Sequence, residues 1–233
     1  MKDIYKFNAK FVCGYKETSF GYYTLDLEHP GYYEGNSLVI EKDNKEVYEC
    51  LQTNNFAQVV ASPEWFERHG IEASKSQLVT MKSGQEIGSK LYKDYNIELV
   101  TEANFADYFE IVKYSQIHDY SELYNPPKFD TGDLDIDRYV IYHGETPIGS
   151  LDVYDKCVIE NVYLHSDYRK QGIMRNYINY IARSQEIYLL CYDDTVEFYT
   201  KCGFTVVDSF DIYSEIILNK PDLINEICKI GNQ

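Results

Sequence analysis

Arg169, Lys170, Arg175 and Arg183 fall within fifteen residues, and the first three enclose Gly172. The segment reads Tyr168-Arg169-Lys170-Gln171-Gly172-Ile173-Met174-Arg175. Residues 96–233 carry 24 carboxylates against 11 cations, so this knot of cations stands inside an acidic half. Cations gathered about a glycine suit a bound anion. At a strand-to-helix turn, successive N–H groups point outward without partners, and the helix dipole adds partial positive charge. A diphosphate can rest on such a turn with few side-chain contacts. Glycine lets the main chain approach it closely.

A turn of this kind needs a strand before it and a helix after it. Val158–Leu164 reads Val-Ile-Glu-Asn-Val-Tyr-Leu, a strand apolar except at Glu160 and Asn161. After Gly172, residues Ile173, Met174, Tyr177, Ile178 and Ile181 recur on one helical face. Ile187–Tyr192 is predicted as the next strand and Val196–Lys201 as a short helix. Upstream, Ile97–Val100 reads as a strand, with Thr101 as N-cap of a helix carrying Phe105, Tyr108, Phe109, Ile111 and Val112. Pro126-Pro127 stops the segment that follows. Arg138–His143 and Ile148–Val153 form two strands about the turn Gly144-Glu145-Thr146-Pro147. Downstream, Phe204–Asp208 and Ile212–Leu218 suggest a closing hairpin. Pro221 opens a last helix with Leu223, Ile224, Ile227 and Ile230 on its apolar side. The fold class is α/β, an α+β mixed sheet.

Arg169-Lys170-Gln171-Gly172-Ile173-Met174 resembles motif A of the GNAT superfamily of N-acetyltransferases, Arg/Gln-x-x-Gly-x-Gly/Ala. It departs from that pattern at Met174. Phe198-Tyr199-Thr200-Lys201-Cys202-Gly203-Phe204 resembles motif B, an aromatic-Tyr pair followed by x-x-x-Gly-Phe. With the strand order, the resemblance covers about residues 96–219. It implies a GNAT-like acetyltransferase fold and an acetyl-coenzyme A site, with acetyl-CoA as cosubstrate. Val162, Tyr163 and Leu164 would hold the pantetheine arm by their main chain. Lys170, Gln171, Gly172, Ile173, Met174 and Arg175 would hold the pyrophosphate, with Arg169 opening the motif. The arm would enter where that strand and the next splay apart, and Asp194 and Thr195 would flank it. Asp194 is a second departure, since the superfamily often has Asn there.

The resemblance also places Tyr199 near the sulfur, as a candidate general acid. A free tyrosine near ~10 is a weaker acid than a thiol near ~8.5, so full proton transfer is uphill by roughly 2 kcal/mol unless the site lowers the tyrosine. A hydrogen bond to the developing thiolate is the other role open to it, and plain packing a third in a chain with 24 tyrosines. Glu160 is the only acid in the strand before motif A. By period two it shares a face with Val162 and Leu164. It could take the proton of an incoming ammonium, attract a cation, or lie on the outer rim. His165 is the alternative base. Cys191 and Cys202 read as small buried residues, not nucleophiles, because direct attack by the amine needs no acyl-enzyme.

Six cysteines at irregular spacings lack any C-x-x-C, so a disulfide framework or zinc knuckle is not expected. Asp130, Asp133, Asp135 and Asp137 suggest calcium but lack the glycine and distal Glu of an EF-hand. They read as an acidic rim that attracts a cationic acceptor, and no metal is expected.

The first half reads as a faded copy. Trp65-Phe66-Glu67-Arg68-His69-Gly70-Ile71 aligns with Phe198–Phe204 at a constant offset of 133. Val79-Thr80-Met81 follows as a strand would, and Tyr22–Leu27, Ser37–Ile40 and Ala57–Val60 read as strands upstream, with Gly31 and Gly35 between. No Arg-x-x-Gly turn occurs there, and Phe66 lacks the hydroxyl. The expected organisation is a smaller, degenerate, cofactor-free GNAT-like domain over residues 1–95, then the coenzyme-binding domain with its C-terminal helix over 96–233.

The chain of 233 residues has a formal net charge of −16, with −3 on residues 1–95 and −13 on 96–233. That field disfavours nucleic acid and anionic membranes and favours cationic small molecules or basic peptides. Solubility alone accounts for the charge equally well. No apolar run approaches the ~20 residues of a membrane span, and the first residues lack a signal-peptide pattern. A cytoplasmic protein is expected, and a homodimer is compatible with the sequence. The expected reaction moves acetyl to a primary amine of a small cationic molecule or peptide by direct attack in a ternary complex. The alternative is a non-catalytic coenzyme A-binding or interaction protein of the same fold.

Overall fold

The computed structural model describes residues 14–27, 34–84, 94–120, 134–183, 186–217 and 220–231. Contacts among them group the chain into two units. One holds the described residues up to Gln77 and those from Phe210 onward; the other holds those between Leu78 and Ser209.

The chain opens with β1 (Lys16–Thr18), β2 (Gly21–Tyr23) and β3 (Ser37–Ile40), paired antiparallel in turn. Helix α1 (Lys45–Thr53) then crosses to β4 (Gln58–Ala61), which pairs parallel with β3. Helix α2 (Pro63–Arg68) follows, with Ser62 as its cap, and leads into β5 (Ser74–Ser83). The second pass repeats this order after an added strand and helix. It has β6 (Tyr95–Leu99), α3 (Phe105–Tyr120), β7 (Ile136–His143), β8 (Thr146–Tyr154) and β9 (Val158–Leu164). Then come α4 (Ile173–Ile181), β10 (Tyr188–Tyr192), α5 (Val196–Lys201), β11 (Phe204–Ile216) and α6 (Pro221–Gly231).

The offset of 133 is a structural one. Helices α2 and α5 match at both ends, and each is followed by a glycine of positive φ, Gly70 at 66° and Gly203 at 91°. Three antiparallel strands, a helix, a parallel strand, a short helix and a last strand occur in both passes. Each last strand serves two units. β5 begins in the first unit, and its later residues pair with β10 in the second, Val79 opposite Cys191. β11 begins in the second unit, and its later residues pair with β4 in the first, Tyr213 opposite Ala61.

Each unit has its own core. In the first, Leu38, Val47, Leu51, Trp65 and Phe66 pack with Ile227 and Cys228 of α6. In the second, Val79, Met81, Leu151, Ile159 and Leu164 pack beneath Ile173, Met174, Tyr177 and Ile178 of α4. A smaller cluster, Tyr108, Val112, Val140 and Tyr142, lies under α3.

By contacts, the change of unit falls at Gln77/Leu78 and again at Ser209/Phe210, and the C-terminal helix packs in the first unit. Several expectations need correction. The hairpin expected over 204–218 is a single strand of 13 residues. Asp208, Ser209 and Asp211 suit a turn by type, but none of residues 208–211 has the positive φ that the common two-residue hairpin turns require. Thr101 does not start α3. The Asn104 carbonyl accepts from Asp107 and Tyr108, and the Thr101 amide donates to the Asn104 side chain. α1 was missed by the sequence reading, although Asn44 is an evident cap before it. Gly31, Asp130, Asp133 and Pro126-Pro127 lie outside the described residues.

Candidate functional site

Beyond Leu164 the chain makes a short 3-10 turn, Ser166–Tyr168, then runs through Arg169 to Gly172 into α4. Lys170 has φ 63° and Gly172 φ 80°. Gly172 occupies the N-cap position and brings no side chain, so none caps the opening amides of α4. The first helical bond runs from the Asn176 amide to the Gly172 carbonyl. Lys170 and Arg175 are exposed beside this end. The other expected phosphate side chains are used within the protein. Arg169 Nε donates to the Leu164 carbonyl at 2.8 Å, and its guanidinium lies 5.6 Å from the Tyr163 ring centroid. Gln171 Nε2 donates to the Asp167 carbonyl at 3.1 Å. Both brace the turn against the strand end. Met174 packs into the core below α4, with 5% of its surface exposed, so its bulk does not crowd the turn.

β9 pairs with β10 only at Val158–Tyr188 and Ile159–Leu189, although β9 continues to Leu164 and β10 to Tyr192. The ladder therefore ends midway. On its other edge, β9 pairs Glu160 with Asp152 and then Tyr163 with Ser150. One residue too many lies between these pairs, and Asn161 has φ 51°. This is a β-bulge. It corrects the period-two reading. Cross-strand partners share a face, so Glu160 and Tyr163 lie on the face of Asp152 and Ser150. Val162 and Leu164 belong to the opposite face, packed in the core with α4.

Tyr199, on α5, packs against that core and touches Phe198 and Phe204, with ring centroids 5.0 and 6.2 Å away. Burial pushes its phenol well above the ordinary tyrosine range, and the charge of Glu160 adds to this. The two expected catalytic residues are thus brought into one electrostatic neighbourhood. The direction of the shift is the opposite of what a proton-releasing acid needs. Cys191 and Cys202 are buried in the same core. Burial raises the Cys191 thiol and pushes Cys202 up to about 12. Both stay protonated at neutral pH, as inert thiols do. Asp194 and Thr195 lie exposed on the 3-10 turn Asp193–Thr195, where Thr195 Oγ1 donates to the Tyr192 carbonyl at 2.9 Å. His165 caps the turn after β9, its Nδ1 accepting from the Asp167 amide at 3.4 Å. Among the described residues no cluster of His, Cys, Asp and Glu is arranged to hold a metal.

One group escaped the sequence reading. Asp152 is buried in β8 at 1% exposure. It accepts from the Tyr108 hydroxyl at 2.9 Å on both oxygens and from Asn161 Nδ2 at 2.8 Å. Burial pushes its carboxyl up to about 6. The signal was available: a lone acid amid Ile148-Gly-Ser-Leu-Asp152-Val is an unusual strand residue.

Residues 136–206, from the start of β7 into β11, match the family model described as Acetyltransferase (GNAT) domain. This segment is a GNAT domain. Over about nine tenths of its length the chain has the fold of two solved proteins. A functionally unknown conserved protein from Staphylococcus epidermidis ATCC 12228 aligns over 92% of this chain and 96% of its own, at 16% identity and TM-score 0.62. A GCN5-related N-acetyltransferase from Kribbella flavida aligns over 91% of this chain and 94% of its own, at 11% identity and TM-score 0.59. A comparison with curated protein sequences gives no match.

The first pass has the GNAT-like order of elements without the features of the GNAT turn. β3 is only four residues long, and Ser37, Leu38 and Val39 are paired with β4. Gln58 Nε2 donates to Ser37 Oγ at 2.7 Å beside that ladder. Before α1 the chain reads Glu41-Lys42-Asp43-Asn44, without glycine, and the Asn44 side chain accepts from the Glu46 amide at 2.9 Å. A protein side chain therefore sits where, in the GNAT domain, Gly172 leaves the amides uncapped.

Proposed function

We propose that the GNAT domain binds acetyl-coenzyme A and transfers its acetyl group to a primary amine. One juxtaposition carries this reading. An uncapped helix end at Gly172 follows directly on a bulged strand that has parted from its neighbour. The amides of Ile173–Arg175, with the Lys170 and Arg175 cations, suit a diphosphate. The main chain of Val162, Tyr163 and Leu164 lies beyond the end of the β9–β10 ladder and suits the amide-rich pantetheine arm. Asp194 and Thr195 flank the far strand. Arg169 and Gln171 contribute by fixing the turn.

When bound, the thioester supplies an activated acetyl group. The acceptor must lose a proton to attack, and Glu160 is the carboxylate placed to take it. The C–S bond breaks as the C–N bond forms; charge develops on sulfur, and the proton shed by the acylated nitrogen ends on it to give the free thiol. Tyr199 keeps its proton throughout the physiological range, so its O–H serves as a hydrogen-bond donor to that sulfur. Positioning of the two reactants supplies much of the rate. The acceptor class is a small cationic molecule or peptide amine, consistent with the −13 charge of residues 96–233. None of the described cysteines is in a disulfide, which suits a reducing cytoplasm. No helix among the described residues is long and apolar enough to cross a membrane.

Two measurements test the reading. Acetyl-CoA must raise the melting temperature, as any ligand of the native state does. Thiol release must follow on adding amines from a panel of polyamines, aminoglycosides, amino acids and peptides. A melting curve indifferent to acetyl-CoA overturns the coenzyme site, and binding without turnover leaves a coenzyme A-binding protein.

A further inference from the structure

Asp152 has a charged or polar neighbour from every element around it. Arg138 of β7 is its direct partner on one side and Glu160 of β9 on the other. Tyr108 reaches it from α3, and the Arg138 guanidinium lies 5.5 Å from the Tyr108 ring centroid. Its fourth contact is Asn161 Nδ2, which also lies 3.0 Å from the Tyr154 hydroxyl.

Asn161 is the left-handed residue of the β9 bulge. That backbone region disfavours any residue with a Cβ, and Asn adopts it most readily when its side chain is bonded. Here the bond runs to a buried carboxylate. Leu151 and Val153, the neighbours of Asp152 along β8, pack in the apolar core. An ionisable group at this depth is costly, so its place calls for a job that an apolar residue cannot do.

We propose that Tyr108 and Asp152 are positioning residues that hold the β9 bulge through Asn161 and thereby set the main chain of Val162 and Tyr163 for the pantetheine arm. The proposal rests on the coenzyme reading above. Neither residue touches the coenzyme. Tyr108 orients the carboxylate, the carboxylate fixes the Asn161 side chain, and the left-handed turn at Asn161 aims the strand beyond the point where β10 leaves it. A protonated Asp152 is a weaker acceptor, so acid loosens the relay.

Isothermal titration with acetyl-CoA tests this on Asp152→Asn, Asp152→Ala, Tyr108→Phe, Asn161→Gly and the Asp152→Ala/Asn161→Gly double variant. Asp152→Ala is expected to raise Kd roughly tenfold, the worth of one hydrogen bond to a charged group. Asp152→Asn falls between it and the parent, because its amide oxygen still accepts from Asn161. Asn161→Gly keeps the left-handed backbone without the side chain, so Asp152→Ala adds nothing on top of it. With 3′-dephospho-acetyl-CoA, whose phosphates do not titrate near neutrality, parent affinity falls as pH drops through about 6, and Asp152→Asn lacks that step. Unchanged affinity in Asp152→Ala, independent addition of the two single effects, or a pH step that survives in Asp152→Asn overturns the proposal alone. A parent protein that does not bind acetyl-CoA overturns the coenzyme reading and the proposal with it. Melting curves report folding; if Asp152→Ala does not fold, Asp152→Asn and Tyr108→Phe carry the comparison.

Discussion

Burial, and after it the negative charge of Glu160, raises the proton affinity of the Tyr199 phenol, 39 positions further along the chain from that carboxylate. Glu160 is the first residue of β9 beyond its ladder with β10, and the shift bears on what each of the two can do. In the proposed reaction Tyr199 donates a hydrogen bond and does not ionise in the working range. Tyr199→Phe is expected to lower kcat by about 10²-fold with little change in KM for acetyl-CoA, as loss of an interaction made to the developing charge does. Steady-state kinetics check this, and unchanged turnover removes Tyr199 from the mechanism. Turnover by the parent protein should show no alkaline decline from Tyr199 below about pH 10.

Glu160→Gln keeps shape and loses the carboxylate proposed as base. It is expected to lower kcat/KM most at low pH, where fewer acceptor molecules are already neutral, and to recover as rising pH deprotonates the free amine. A pH–rate comparison of the two proteins measures this. Equal losses at every pH would mark Glu160 as a binding residue instead.

Gly172 has φ 80°, and a β-branched side chain there is strained by roughly 1–3 kcal/mol. Gly172→Val is expected to weaken acetyl-CoA binding by tenfold or more, beyond its effect on the melting temperature. Gly172→Asn, which tolerates the left-handed region, should bind more tightly than Gly172→Val. Titration calorimetry on both variants separates backbone strain from loss of the phosphate cradle.

Burial raises the Asp152 carboxyl from 3.8 to about 6, so the folded chain holds that proton more tightly than the unfolded chain. The stability this contributes is present below about pH 4 and is lost as pH rises through about 6. Asp152→Asn has no such loss. Denaturant unfolding at pH 7 is expected to find it more stable than the parent, by up to roughly 3 kcal/mol, while its coenzyme affinity is lower. Equal changes of stability between pH 4 and pH 7 in parent and variant would contradict the assignment.

The first pass has its own side chain on the helix end where the second has Gly172. Titration should therefore find about one acetyl-CoA per chain. Two sites would mean that the Asn44 cap yields to a ligand.

The sequence made the Gly172 turn readable because its determinants are local: a strand, a glycine among cations, an amphipathic helix. The offset of 133 was readable for the same reason, since Ser62-Pro63 and Gly70 mark both ends of α2 within nine residues. The Asn161 bulge was not. It depends on a bond to Asp152 on another strand, and alternation alone put Glu160 on the wrong face. β11 was misread because its continuity comes from partners: the Gly203 carbonyl accepts from the Gly84 amide just before it, and Tyr213 pairs with Ala61 near its end. Arg169 suited a phosphate by type, yet its Nε is spent on the Leu164 carbonyl, a choice that depends on the path of the turn.

β4 and β10 each take an edge partner from the far pass of the chain. During synthesis, the early sheet must therefore wait until residue 216 has left the ribosome before β4 is covered. A cut at residue 95 would strand β5 on the wrong fragment and leave β10 with a bare, sticky margin. The two halves look like copies, but neither is a spare part.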